Sequence, residues 1–175
     1  MKNNPIITIV ILTYKRPKLL KRAVRSILNQ TYPYFKVCVH DDASGDETGE
    51  IVAEMQKKDA RIFYYCNKQN LGFLGNCKQA WEQVNTPYYA NLGDDDIFLP
   101  THLETAMKSF RKYPEAMFSA NQAISITHEK KIHKVTLYQN CNEGLHNPPE
   151  GLIFLLKTDP SILPATVYRS EVRQK

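Results

Sequence analysis

Three consecutive aspartates, Asp94, Asp95 and Asp96, follow the apolar run of residues 87–92 and precede a second apolar run at 97–100. Adjacent carboxylates repel one another, and the repulsion grows as water is withdrawn. Oxygen ligands at the end of a buried segment suit a hard cation such as Mg2+ or Mn2+, which keeps several waters and binds through one or two carboxylates plus substrate phosphates. Two more acids, Asp41 and Asp42, end the run at 35–40, and Thr13-Tyr14 ends the run at 6–12. A nucleoside diphosphate needs such a set of groups. Tyr14 offers a ring face to a base. Asp42 accepts a hydrogen bond from a base N–H, and a buried carboxylate left unpaired penalises bases without that donor. Asp94 takes ribose hydroxyls and Asp95 holds the cation, while Asp96 caps the helix starting near Pro100 and Asp41 orients its neighbour. Asn76 and Lys78, on the helix after Gly72, come within reach of the same ligand.

The elements that position these residues alternate. Residues 6–12, 35–40, 61–66 and 88–92 are short, apolar and rich in β-branched or aromatic residues, as buried strands are. Pro17 suits a first helical position, and Leu20, Val24, Ile27 and Leu28 line one face of the helix that follows. Ser44-x-x-Glu47 has the form of a capping box before Ile51, Val52 and Met55. Leu74, Cys77, Trp81 and Val84 mark the apolar stripe of a third helix, with Trp81 in the core, and Leu103, Ala106, Met107 and Phe110 mark a fourth. Four strand–helix repeats imply an α/β fold, a mostly parallel Rossmann-like sheet with helices on both faces. Ligands bind such sheets outside the carboxyl ends of the strands, which is where Thr13-Tyr14, Asp41-Asp42 and the aspartate triplet lie. Beyond Pro114 the pattern changes to a hairpin of 117–126 and 132–138, a loop at 140–149, a short helix at 152–156 and a strand at 162–168.

With 175 residues and 42% hydrophobic content, one substantial core and one domain are expected. A net charge of +5 fits an anionic ligand and does not single out nucleic acid. Cys38, Cys66, Cys77 and Cys141 form no C-x-x-C pair, and three lie in apolar segments, so buried thiols in a reducing compartment are expected. His102 and His128 read as surface residues. No signal peptide or bilayer-length run is evident, which leads to a cytoplasmic reading. The cationic face of residues 15–25 admits peripheral contact with anionic lipid.

Five blocks in order then carry a family resemblance. They are Ile9-Val10-Ile11-Leu12-Thr13-Tyr14-Lys15-Arg16-Pro17, Ser26-Ile27-Leu28-Asn29-Gln30-Thr31-Tyr32-Pro33, Asp41-Asp42-Ala43-Ser44-Gly45-Asp46-Glu47-Thr48, Asn70-Leu71-Gly72 and Gly93-Asp94-Asp95-Asp96-Ile97-Phe98-Leu99-Pro100. The set resembles the family 2 glycosyltransferases of GT-A fold, and 162–169 resembles their acceptor-side strand. The resemblance implies inverting transfer of a sugar from a nucleotide-diphosphate sugar, by preference UDP-linked, to a hydroxyl of a glycan or lipid-linked acceptor. It implies that Thr13, Tyr14 and Arg16 line the nucleotide pocket, Asp42 meets the base, Asp94 meets the ribose and Asp95 binds Mn2+ or Mg2+. The family's Asp-x-Asp would begin at position 93, which is Gly93 here, so the match is the variant Asp94-Asp95.

Residues 1–112 are expected to form the nucleotide-sugar-binding α/β portion, and 113–175 a partial acceptor-side β/α portion of the same domain. The family's general base lies beyond the last strand, and Glu143, Glu150, Asp159 and Glu171 sit in no matching motif. A fragment without its catalytic base is therefore expected. Two alternatives remain at this level: a catalytically silent nucleotide-sugar or carbohydrate-binding module, and a phosphoacceptor receiver domain. The receiver would place its acid pair after the first strand, where Thr13-Tyr14 stands.

Overall fold

The computed structural model of the chain describes residues 6–121, 123–126, 131–136, 144–147 and 166–171. β1 (Ile7–Thr13), with sequence ITIVILT, is buried almost throughout and lies at the heart of the fold. It pairs in parallel with β2 (Phe35–Asp41) on one side and β4 (Tyr88–Gly93) on the other, and β2 pairs in parallel with β3 (Ile62–Cys66). β5 (Phe118–Ala120) and β8 (Thr166–Arg169) complete a six-stranded sheet ordered β3-β2-β1-β4-β8-β5, with β8 antiparallel to both neighbours. β6 (Ala123–Ile126) and β7 (Ile132–Thr136) form a separate antiparallel pair.

Side-chain alternation along the strands builds two cores. Ile7, Ile9 and Ile11 join Leu20, Val24 and Ile27 of α1 (Pro17–Leu28), Val52 of α2 (Thr48–Gln56), and Leu103, Ala106 and Phe110 of α4 (His102–Lys112). On the opposite face Val10 packs with Tyr89, with Val84, and with Ala80 of α3 (Gly72–Glu82). Helices therefore cover both faces, as the α/β reading requires. Pro17 stands in the first turn of α1, where its missing N–H removes nothing from the helix. Among the described residues no helix is long and apolar enough to cross a membrane.

Several expectations are corrected. The capping box does not form: Glu47 is the N-cap of α2, and no side chain caps it. Ser44 is drawn instead to the Asp41 carboxylate, and Asp46 Oδ1 takes the Thr48 N–H at 2.9 Å. Asp96 does not cap α4, whose N-cap is Thr101; its own N–H closes a turn onto the Gly93 carbonyl. α3 is rotated from the expected stripe. Asn76, Cys77 and Ala80 face the sheet, Leu74 is exposed, and Trp81 is half-exposed with its indole N–H donating to Asn91 Oδ1. The rotation follows from Asn76, whose amide donates to the His40 carbonyl at 3.1 Å and pins the helix by a polar contact.

The run at 117–126 is two strands, not one arm of a hairpin, because β5 joins the main sheet through β8. The last strand begins at Thr166 among the described residues, and the helix at 152–156, His128 and Cys141 lie outside them. Cys38 and Cys77 are buried, but Cys66, at the end of an edge strand, is exposed. His102 is partly buried rather than on the surface, its ring stacked 4.1 Å from that of Phe98.

Candidate active site

The four parallel strands deliver four loops to one edge of the sheet, and hydrogen bonds join them. The Asp42 N–H donates to the Thr13 carbonyl at 3.0 Å, and the Lys15 N–H donates to Ser44 Oγ at 2.8 Å, so the loops after β1 and β2 are laced together. Both loops contain a non-glycine residue in the left-handed region, Lys15 at φ 55° and Ala43 at φ 59°. Such a residue costs roughly 1–2 kcal/mol, and strained backbone of this kind gathers where a loop is shaped for a ligand.

Asp94 is buried at the end of β4. Thr13 Oγ1 donates to its Oδ2 at 2.8 Å, and Arg16 Nη1 reaches its Oδ1 at 3.2 Å. The same Arg16 nitrogen lies 3.2 Å from Asp95 Oδ2, and Arg22 donates to the Asp95 main-chain oxygen. Asp95 keeps its carboxylate largely in solvent. Asp96 is solvent-accessible yet hemmed in by the turn; partial burial first, then the charge of Asp95, raises its pKa above the ordinary carboxylate value. Gly93 leaves the space beside the triplet open to its carboxylates. A Cβ there would stand 2.9 Å from Asp95 Oδ1 and 3.0 Å from Asp96 Oδ2.

Asp42 is buried and held from the loop after β3. Its Oδ1 accepts from Asn67 Nδ2 and from the Leu71 N–H, each at 2.8 Å, and Asn70 Nδ2 donates to its carbonyl. Oδ2 receives no hydrogen bond from the described residues. Asn67 Nδ2 also donates to Asn76 Oδ1, which ties the loop after β3 to α3. Gly72 opens α3 at φ +70° with its N–H on Asn70 Oδ1, a backbone geometry natural to glycine. Asp41 faces inward, accepting from Ser44 and from the Tyr64 hydroxyl at 2.6 Å. Burial, then the Asp41 carboxylate, raises the Tyr64 pKa, so the hydroxyl stays a donor.

Of the expected site residues, Thr13, Arg16, Asp94 and Asp95 form one connected cluster, with Asp42 joined to it through the Thr13 main chain. Tyr14 is 43% exposed, its ring free of the core and flanked by Lys15 Nζ at 5.2 Å. Lys78 is exposed on α3 and makes no ion pair with Asp42, Asp94 or Asp95. Asn76 is buried and works within the scaffold. Sequence reasoning missed Arg22, Asn67 and Asn70 as site-builders. Arg22 read only as part of the cationic face of residues 15–25, while Asn70 was visible only as part of the Asn70-Leu71-Gly72 block.

Among the described residues no three His, Cys, Asp or Glu side chains converge as a protein-only metal cage. One accessible carboxylate, Asp95, beside a buried one, Asp94, does fit a hard divalent ion that takes its remaining ligands from water and phosphate.

The family model for glycosyl transferase family 2 matches residues 8–170. The chain belongs to glycosyltransferase family 2. An uncharacterized glycosyltransferase of Haemophilus influenzae is 30% identical over 177 residues, covering 97% of this chain and 54% of that protein. A GalNAc(5)-diNAcBac-PP-undecaprenol beta-1,3-glucosyltransferase of Campylobacter jejuni is 34% identical over 105 residues, covering 59% of this chain and 34% of that protein. The chain thus spans about a third to a half of the length of these relatives. Its fold resembles Staphylococcus aureus TarS 1–349 in complex with UDP-GlcNAc, with TM-score 0.73 and 17% identity over 96% of this chain and 46% of that one. It also resembles the mannosyltransferase PcManGT of Pyrobaculum calidifontis in complex with GDP-Man and Mn2+, with TM-score 0.59 and 20% identity over 67% of this chain and 35% of that one. These likenesses establish the GT-A fold of this glycosyltransferase-family chain.

Proposed function

We propose that this chain forms the donor-binding part of an inverting glycosyltransferase that moves a sugar from a nucleoside-diphosphate sugar, of uridine type, to a hydroxyl of a glycan or lipid-linked acceptor. The observation that carries the reading is the placement of two buried carboxylates, Asp42 and Asp94, at one edge of the sheet, with Tyr14, Arg16 and Asp95 exposed beside them. In this reading Asp42 Oδ2 accepts the base N–H, and Asn67 with the Leu71 N–H hold the carboxylate in place. Tyr14 covers the base. Thr13 acts through Asp94, presenting it to the ribose hydroxyls, and Lys78 lies on the nearby helix as an outer contact for the donor. Residues 1–112 supply this pocket and 113–175 begin the acceptor side. Uridine is favoured by the TarS complexes with UDP and UDP-GlcNAc, proteins of the same fold.

Asp95, with Asp94 behind it, would hold Mn2+ or Mg2+, and the ion when bound supplies Lewis-acid stabilisation of the departing diphosphate. Inversion requires one displacement, in which the acceptor hydroxyl loses its proton to a general base.

Thermal unfolding with nucleoside diphosphates, with and without Mn2+, tests the reading. At about 100 times Kd, mass action adds about 2.7 kcal/mol, which is roughly 5–11 °C for a chain of this size. UDP with Mn2+ is expected to give such a shift, and Asp95→Asn to remove its metal-dependent part. Absence of a shift with every nucleoside diphosphate in the presence of Mn2+ overturns the reading.

A further inference from the structure

Arg16 is the cation that meets both the Asp94 and Asp95 carboxylates. It precedes α1, its side chain is 53% exposed, and it approaches Asp94 and Asp95 through the single nitrogen Nη1, 3.2 Å from each. One nitrogen shared by two oxygens is not the parallel two-nitrogen fork of a strong arginine–carboxylate pair. Both contacts are at the long end of the hydrogen-bond range, and water screens them. Arg22 is different in kind. It donates to the main-chain oxygen of Asp95, a contact independent of what the carboxylates hold. Arg22 holds the turn through its main chain, whereas Arg16 meets the Asp94 and Asp95 carboxylates through two long contacts from a half-exposed side chain.

A guanidinium bridging Asp94 and Asp95 engages the oxygens that a divalent cation at Asp95 would draw on. We propose that Arg16 is an exchangeable counter-cation. With neither metal nor donor bound, it pairs with Asp94 and Asp95; when both bind, the metal ion takes over the carboxylates and Arg16 transfers to the donor's diphosphate. The proposal rests on the donor-site reading above and adds a coupling to it. Metal alone must displace Arg16 with no anion to receive it, and a nucleoside diphosphate supplies that anion. Each ligand therefore tightens the other, and linkage makes the factor the same in both directions.

Mn2+ binding followed by electron paramagnetic resonance, with and without UDP, and UDP binding followed by calorimetry, with and without Mn2+, test the exchange. Arg16→Gln is expected to bind Mn2+ alone about three- to tenfold tighter than wild type, and UDP in the presence of Mn2+ about tenfold or more weaker. The factor by which UDP strengthens Mn2+ binding falls accordingly. Arg16→Lys keeps the charge and is expected to keep the weak Mn2+-alone affinity of wild type. Arg16→Met, neutral and of similar length, replaces the Gln variant if that one does not fold. Neutral variants that bind Mn2+ alone no tighter than wild type overturn the exchange, as a purely structural role would give. Wild type that binds Mn2+ and UDP while the neutral variants leave their coupling unchanged overturns the exchange only. Wild type that binds no UDP with or without Mn2+ overturns the donor-site reading as well.

Discussion

Asp94, Asp95 and Asp96 are chemically one residue repeated, and the fold gives each a separate environment. Asp94 is buried and bonded by Thr13, Asp95 faces water, and Asp96 is held against a glycine turn. From the sequence they could be told apart only by position, Asp94 for ribose, Asp95 for the cation and Asp96 as a helix cap, and that cap does not form. The bonds that create the difference come from Thr13 and Arg16, dozens of positions away, and no local rule pairs those with the triplet. Histidines illustrate the same gap. Neither His40 Nε2 nor His102 Nε2 has a hydrogen-bond partner among the described residues. Burial lowers both pKa values from 6.5 to about 4. The unfolded chain takes up these protons near pH 6.5 and the folded one near pH 4, so between those values the unfolded state binds more protons. Stability is expected to be full above about pH 6.5 and to fall toward pH 4, by up to about 1.4 kcal/mol per pH unit for each histidine. Urea unfolding at several pH values checks this, and His40→Gln should flatten the slope.

At the scale of elements, the helices whose burial is purely apolar were readable from spacing. α1 buries Leu20, Val24 and Ile27, and α4 buries Leu103, Ala106, Met107 and Phe110, as periodicity requires. α3 was misread because its sheet-facing side includes Asn76, a polar anchor that hydrophobic periodicity does not count. The Ser44-x-x-Glu47 signal failed for a related reason. Its serine had a stronger partner in Asp41, a carboxylate at a buried strand end. The β4–α4 turn shows an element tuned by one missing atom group. Gly93→Ala places a Cβ against the Asp95 and Asp96 carboxylates, which are side-chain ends able to swing away. The variant is therefore expected to unfold within about 1 kcal/mol of wild type, but to lose most of the Mn2+-dependent part of the UDP thermal shift. Paired melting curves with and without Mn2+ would measure both.

For the whole molecule, strand order matters more than strand count. β8 lies between β4 and β5 and contributes the fully buried Val167 to the main core. Tyr168 stacks on Tyr89 at 5.2 Å, and Arg169 lies over the rings of Tyr88 and Phe110. A chain ending at Lys112 retains every residue of the carboxylate cluster but leaves β4 as a bare edge. Several kcal/mol of a total near 5–15 kcal/mol are expected to go with the lost burial and ladder. Circular dichroism in urea should show a broad, early transition for that fragment and a sharp one for the full chain. The parallel core of β1, β2 and β4 was predictable from four repeats of strand and helix. The antiparallel insertion of β8 was not, because nothing local in Thr166–Arg169 names its neighbours.

That insertion also sets an order of events. As the polypeptide leaves the ribosome, β1 to β4 and their helices emerge first, with the outer rim of β4 waiting for a partner. The partner lies far downstream, so closing the sheet brings together strands distant in sequence, and non-local pairing of this kind slows folding. Until it closes, the nascent chain exposes an apolar strand rim to its neighbours, a hazard of the kind that chaperones cover.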